Sequence, residues 1–373
     1  MSRRRANGEG SIYRRADGRW VASVSVDQGR RKYFYAQTRH EVGRKLATAL
    51  KARHDGLPLV AERQTVAQYL EGWLESARPS LRPGSWERYE QLTRLHINPV
   101  LGNVRLARLA PEHLQRLYSG CLEAGLSAGS VRQLHAVLRR ALGQAARWSL
   151  VARNVATLVT PPRRSRQEMT AFGPEQVRTL LEAAAGDRLE ALYVLAITTG
   201  MRQGEILGLR WRDVDLDDGY VQVKATLQRT EGVFVFAEPK TASSRRQIAL
   251  TDGAVAALKH HRVAQAEERL RLRRAWEDND LVFANEVGRP IAASNLRNRS
   301  FWPLLAGAGL PRIRFHDLRH TAATLMLGQG VHPKVVSEML GHSQISITLD
   351  LYSHVTPTMQ RQAAEAMDSA LRA

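Results

Sequence analysis

Two hydrophobic periods divide the chain. Between residues 11 and 36 apolar positions alternate. Trp20, Ala22, Val24 and Val26 fall on one side of an extended segment, and Val21, Ser23, Ser25 and Asp27 fall on the other. That period of two is the mark of a half-buried strand. Turn residues punctuate it at Ala16-Asp17-Gly18 and again at Asp27-Gln28-Gly29, and Asp-Gly between alternating segments signals a hairpin. Strands are predicted at 12–14, 20–26 and 31–35. Thr38 then stands where an N-cap belongs, ahead of a helix running to about residue 54. A small α+β module with a three-stranded sheet is expected.

From residue 64 to 150 the period changes to that of a helix. Thr65 caps a segment in which Val66, Tyr69, Leu70, Trp73 and Leu74 recur at helical spacing. Further helices are predicted at 85–97, 111–124 and 127–148, with Pro111 suited to a first turn. The expectation is an all-α bundle with Trp73, Trp86 and Trp148 in its core. Thr160-Pro161-Pro162-Arg163-Arg164-Ser165-Arg166 breaks the pattern and reads as a basic linker. Beyond it, helices are predicted at 174–185 and 189–199, strands at 220–226, 233–237 and 246–250, and a polar helix at 252–276. The remainder is mainly helical. No solenoid-type repeat or low-complexity tract interrupts the chain.

Composition turns this multidomain picture toward a partner. At 373 residues, two or three domains are expected. The net charge is +19, which suggests a polyanion. Residues 1–63 carry net +9, residues 64–165 net +8, and residues 166–373 only +2. The basic excess therefore sits in front, ahead of a nearly neutral rear segment. Arg14, Arg15, Arg19, Arg30, Arg31 and Lys32 flank the turns and strands of the first module, and a basic three-stranded sheet can lie in a DNA major groove. Arg163, Arg164 and Arg166 would let the linker cross a phosphate backbone. No apolar run is long enough to span a bilayer, and MSRRRANGEG lacks the apolar stretch of a secretory signal. A cytoplasmic protein without a membrane partner is expected. Cys121 is the single cysteine, so neither a disulfide framework nor a cysteine-rich zinc site is available.

The candidate chemistry lies in the rear segment. Gly200 ends an apolar helix, and a short helix begins near Arg202, with Glu205 one turn on. An arginine there can present its planar fork to two phosphate oxygens; a surface Arg–Glu pair is the plainer reading. His316 and Arg319 fall on one helical face in Phe315-His316-Asp317-Leu318-Arg319-His320. His316 and His320 also have zinc-ligand spacing, but aspartate follows His316 where the metalloprotease helix needs glutamate, so no metal is expected. Gly341 in Leu340-Gly341-His342 suits a helix C-cap, and Tyr352 follows ten residues after His342. Cations to hold non-bridging oxygens and a phenol to attack phosphorus form a set suited to a phosphate diester.

In order, spacing and local context these motifs resemble the tyrosine recombinases of the phage integrase family. The pattern maps onto Arg202, Lys240 between two predicted strands, His316 with Arg319, His342 and Tyr352. The resemblance covers nearly the whole chain and is most secure from about 172 to 355. It implies an arm-type DNA-binding module at 1–63, a helical core-binding domain at 64–160 and a linker at 161–171. A mainly α (α+β) catalytic domain at 172–356 and a C-terminal helix for protomer exchange at 357–373 complete it. It also implies a cofactor-free transesterification. Tyr352 attacks the scissile phosphate to leave a 3′-phosphotyrosyl link, Lys240 protonates the leaving 5′-oxygen, and His316 serves as base. Arg202, Arg319 and His342 stabilise the phosphorane-like state, and Glu205 supports His316 or Arg202. Expected partners are double-stranded DNA at crossover and arm-type sites, three further copies of the chain in a homotetramer, and an excision factor or DNA-bending protein. A type IB topoisomerase-like relaxing enzyme, an inactive DNA-binding regulator and a metal-dependent nuclease are the competing readings.

Overall fold

The computed structural model describes residues 10–25, 31–54, 63–163, 170–230, 232–237 and 245–352, with 365, 367, 368, 371 and 372 near the end; side chains at 48, 51–54 and 350–352 are outside that description. The chain divides into two compact units, Met1–Arg166 and Gln167–Ala373.

The first unit opens with three antiparallel strands, β1 (Ser11–Arg14), β2 (Trp20–Ser25) and β3 (Arg31–Ala36), in the order β1-β2-β3. Gly18 closes the first turn at φ +84°, a conformation that glycine adopts without strain. Helix α1 (Arg39–His54) begins after Thr38, whose hydroxyl accepts the Glu41 N–H at 3.2 Å. It packs on the face bearing Ala22 and Val24, and Val42, Leu46 and Ala49 complete a small core. The opposite face pairs Tyr13 with Val21 and Val21 with Tyr35. Tyr13, Tyr33 and Tyr35 stand exposed there. The same alternation divides the basic residues. Arg31 is in phase with Tyr33 and Tyr35, whereas Lys32 lies part-buried with its Nζ over Phe34. Arg14, Arg15 and Arg19 are exposed around the first turn, while the second predicted turn and Arg30 lie outside the described residues.

Helices α2 (Val66–Ala77), α3 (Pro83–Leu92), α4 (Asn98–Leu101), α5 (Pro111–Glu123) and α6 (Ala128–Arg147) form the bundle. Thr65 and Gln68 make a reciprocal capping box at the start of α2. Val66, Tyr69, Leu70, Trp73 and Leu74 are all buried, as their spacing predicts. The segment predicted at 85–97 begins earlier, because Pro83 supplies a ready first turn. It continues through a wide π turn, Thr93–Ile97, into α4. Trp86 is part-buried and donates to the Leu74 carbonyl at 3.1 Å. Trp148 departs from expectation. It follows the last turn of α6, past the buried stripe, and is 48% exposed. Arg163 is exposed outside any helix or strand, and Arg164 and Arg166 lie outside the described residues.

The second unit wraps α8 (Glu190–Thr199), whose residues are buried on almost every side. Helices α7 (Pro174–Ala184), α10 (Asp252–Leu272) and α13 (Asp317–Gly328) pack against it. The short helices α9 (Gln203–Leu207), α11 (Ala293–Asn295) and α12 (Trp302–Gly307) complete the shell, with a π turn at Leu296–Phe301. The segment predicted as one strand at 220–226 is two. In the first sheet β5 (Tyr220–Val223) lies between β4 (Val214–Asp215) and β8 (Arg246–Ala249). Strand β6 (Thr226–Thr230) turns away to pair with β7 (Val233–Ala237). The change of partner breaks the run. Helices α14 (Pro333–Leu340) and α15 (Ser346–Tyr352) pack on α13 and on each other. Near the end, Met367 and Leu371 are helical and mostly exposed; most of the expected C-terminal helix at 357–373 lies outside the described residues. No described helix is long and apolar enough to cross a membrane.

Candidate active site

Four helix ends converge on the site. Gly200 terminates α8 in the left-handed region at φ +62°, and a side chain there would strike Leu340 and Ala322. The chain then turns into α9 with Arg202 at the N-cap. Arg202 donates its backbone N–H to Glu205 Oε2 at 2.9 Å and its Nη1 to Oε1 at 2.7 Å. Its Nη2 donates to the Gly341 carbonyl at 2.9 Å. The predicted turn-to-helix junction is therefore present, with the arginine braced rather than loose.

Glu205 is 4% exposed and meets a second arginine, Arg246, at 2.9 Å. Burial alone raises its carboxyl pKa, but the Arg246 hydrogen bonds and charge, then Arg202, outweigh this and hold it below the usual range. Its hydrogen bonds go to Arg202 and Arg246. Arg246 went unnoticed in the sequence among the basic residues at 245–246. The available signal was phase, since Arg246 shares a strand face with buried Ile248, two residues on along β8.

Arg319 lies in the first turn of α13 and is 3% exposed. Its Nη1 donates to the Gly200 carbonyl at 2.8 Å, and its buried Nη2 has no hydrogen-bond partner among the described residues. Burial first, then Arg202, lowers its pKa to about 9, which still leaves it charged at neutral pH. A buried guanidinium with an unmet donor costs free energy and presents a site for an anion.

His316 is the N-cap of α13 and touches His320 edge to face, ring centroids 5.0 Å apart. Asp317 fixes that helix start by accepting from the Arg314 backbone N–H at 2.8 Å and from its guanidinium at 2.7 Å. Burial, then His320 and Arg319, lowers the His316 pKa to about 4. Gly341 closes α14 at φ +64°, and the His342 N–H donates back to the Ser337 carbonyl at 3.0 Å. That is the Schellman pattern expected from Gly341. His342 Nδ1 lies 2.8 Å from the hydroxyl of fully buried Thr348, which leaves Nε2 for a substrate. Burial, then Arg319 and Arg202, lowers the His342 pKa to about 4. Both imidazoles are neutral at pH 7, so each ring offers one N–H donor and one acceptor nitrogen.

Tyr352 ends α15, so its backbone is carried on the helix that packs against α13 and α14; its side chain is outside the described residues. Lys240 also lies outside them, in the segment 238–244 that separates β7 from β8 in sequence. The structure therefore brings together Arg202, Glu205, Arg246, Arg319, His316 and His342. Asp317, Thr348 and Arg246 are additions to the sequence reading. No group of three or more metal-ligating side chains occurs among the described residues.

Comparison with known proteins shows the family. Residues 171–359 match the phage integrase family, and residues 65–122 match its N-terminal SAM-like domain. A tyrosine recombinase XerC-like protein of Caldanaerobacter subterraneus is 32% identical, with 94% of this chain and 97% of that protein covered. An integrase of Streptomyces ambofaciens is 29% identical over 97% of each. Among solved structures, the Tn1549 transposon integrase in complex with a circular intermediate DNA superposes with a TM-score of 0.69. It has 22% identity and covers 82% of this chain and 99% of that one. A lambda integrase bound to a core site superposes at 0.60 with 17% identity, over 94% and 96%. The family match makes the chain an enzyme of DNA strand cleavage and transfer. The chain belongs to the phage integrase family, the tyrosine recombinases, and acts in site-specific recombination.

Proposed function

We propose that the chain integrates, and also excises, a mobile DNA element by cutting each strand with Tyr352. The observation that carries this reading is the pairing of Arg202 and Arg246 with one carboxylate beside a buried Arg319 whose Nη2 has no partner among the described residues. A diester phosphate supplies the missing acceptor. Arg202, Arg319 and His342 Nε2 then hold the non-bridging oxygens as charge develops on the phosphorane-like state. Tyr352 Oη attacks phosphorus, the P–O5′ bond breaks, and a 3′-phosphotyrosyl ester remains. Lys240 gives its proton to the departing 5′-oxygen, and His316 accepts the phenol proton. The arriving phosphate carries negative charge, which raises the imidazole pKa toward the range where a base is useful. A 5′-hydroxyl from the partner strand reverses these steps and reseals the DNA. The ester conserves the bond, so no nucleotide or metal is consumed.

The domain roles follow the charge. Residues 1–63 hold arm-type DNA sites, with the open sheet face of Tyr13, Tyr33, Tyr35 and Arg31 against the duplex. Residues 64–160 bind the core site, 161–171 link that domain across the DNA backbone to the catalytic domain, 172–356 cleave, and 357–373 dock on a neighbouring protomer. Four copies on two duplexes carry out exchange in the cytoplasm, and an excision factor or DNA-bending protein sets direction. The lambda integrase tetramer bound to a Holliday junction supports that assembly by analogy of fold.

The test is a nicked core-site duplex that traps cleavage, with EDTA present. A covalent adduct is expected from the wild-type chain and none from Tyr352→Phe, which still binds. A 5′-bridging sulfur should restore Lys240→Ala, because a thiolate leaves without a proton, and should restore Arg319→Ala far less. Loss of the adduct in EDTA contradicts the reading, as does equal rescue of both variants.

A further inference from the structure

Glu205 binds one arginine more than the chemistry above requires. Arg246 opens β8, and its side chain is only 6% exposed. Nη2 donates to Glu205 Oε2 at 2.9 Å, Nη1 to Oε1 at 3.3 Å, and Nε to the Met339 carbonyl at 2.5 Å. A Cβ placed on Gly341 would lie 3.0 Å from Nη1 and 3.2 Å from Cδ and Cζ. The guanidinium therefore lies against the residue that precedes His342. Gly341 in turn accepts from Arg202 Nη2. The contacts close a ring of Arg202, Glu205, Arg246 and the last turn of α14.

Burying a guanidinium costs several kcal/mol before its partners are counted, and an apolar residue often fills such a place with no loss of stability. Packing does not account for Arg246, but division of the carboxylate does. With Arg246 on both oxygens, the Arg202 side chain engages only Oε1, and its other terminal nitrogen reaches Gly341. Without Arg246, both Glu205 oxygens are open to the Arg202 fork, and bidentate pairing draws it onto the carboxylate. The end of α14 loses its tie to β8 at the same time.

We propose that Arg246 is a positioning residue for DNA cleavage. It shares the Glu205 carboxylate and clamps the end of α14, and so fixes the Arg202 fork and His342 relative to one another. The proposal rests on the reading of Arg202 as a phosphate-binding group.

The experiment is single-turnover cleavage by the full-length chain, with site binding measured separately, for Arg246→Gln, Arg246→Lys, Arg202→Ala and the double variant Arg202→Ala/Arg246→Gln. A misplacement of about 1 Å costs on the order of 10²-fold in rate. Arg246→Gln should accordingly cleave about 10- to 100-fold more slowly while binding its site normally, and Arg246→Lys should recover part of the rate. The double variant should lose far less than the product of the two single losses, because Arg246 acts in large part through Arg202 and the effects are not additive. On a methylphosphonate substrate, which lacks one negative oxygen, the Arg246→Gln deficit should shrink. If Arg246→Gln does not fold, Arg246→Lys enters the same cycle, since it keeps a cation beside Glu205. Losses that multiply in the double variant overturn the proposal, as does a deficit equal on both substrates or a wild-type rate for Arg246→Gln. A wild-type rate for Arg202→Ala overturns the reading of Arg202 and the proposal with it. A multiplying loss alongside a crippled Arg202→Ala overturns only the role of Arg246.

Discussion

The two units of the chain use charge in opposite ways. Among the described residues, Met1–Arg166 buries Ser23, Thr93 and His135 but no charged side chain. Its excess charge lies mainly in exposed or part-exposed arginines. The second unit is nearly neutral in sum, yet buries Glu205, Asp317 and Arg319 together with Arg246. Exposed charges are screened within about 8–10 Å at physiological salt and adapt to many partners. Buried charges are held by hydrogen bonds and cannot relax. The first arrangement suits a grip on any phosphate backbone, and the second suits one phosphate at one geometry. On the proposed reading, net charge locates the grip, whereas burial locates the chemistry.

The largest expected effect comes from breaking the buried set. Glu205→Ala leaves Arg246 buried without its carboxylate, a loss of the kind that costs about 3–5 kcal/mol. Chemical denaturation of residues 167–373 should show it, together with loss of cleavage. Next are the two left-handed glycines. Gly200→Ala and Gly341→Ala force a side chain into a strained backbone at φ +62° and +64°, which costs about 1–3 kcal/mol each. Gly341→Ala also collides with Arg246, so its cleavage rate should fall further than its stability. The exposed Arg178–Glu175 pair, 2.7 Å apart, gives the contrast. Glu175→Ala should change stability by no more than about 0.5 kcal/mol. A cost equal to that of Glu205→Ala would break the comparison.

Salt and acid sharpen it. Each phosphate contact made by the front unit adds about 0.9 to the slope of log affinity against log salt. Deleting residues 1–63 should therefore flatten that slope and remove footprints at arm-type sites, while core-site cleavage persists. Acid should act on the rear unit. His316 and His342 are lowered from near 6.5 to about 4 in the folded chain. Their neutral burial carries no penalty above about pH 6.5, and stability is lost as pH falls toward 4, where the unfolded chain binds protons that the folded one does not. The melting temperature should fall over that window, and His342→Asn should make it fall less. An NMR titration of His342 with a midpoint near 6.5 would contradict this assignment.

Much of the site was legible because its parts are local. Thr65 with Gln68, Gly200 ahead of Arg202, and Gly341 ahead of His342 are helix-end signals within a few residues. What escaped depends on distance in sequence. Arg246 reaches Glu205 across 41 residues and Met339 across 93, and no spacing rule reports such a meeting. Thr348 meets His342 only through the turn that joins α14 to α15. Trp148 looked like core because it ends a periodic helix, yet it falls one step beyond the buried stripe. The run at 220–226 looked like one strand because a change of sheet partner leaves no mark on alternation.

The central claim is that Tyr352 is the atom donor for the covalent link to DNA. The direct measurement traps the adduct on a nicked core-site duplex, digests the protein and the DNA, and sequences the modified peptide by mass spectrometry. The account predicts a nucleotide 3′-phosphate esterified to Tyr352 in the peptide spanning 335–361, and no modified peptide elsewhere. A link on any other side chain, or a 5′-phosphate on Tyr352, would contradict it.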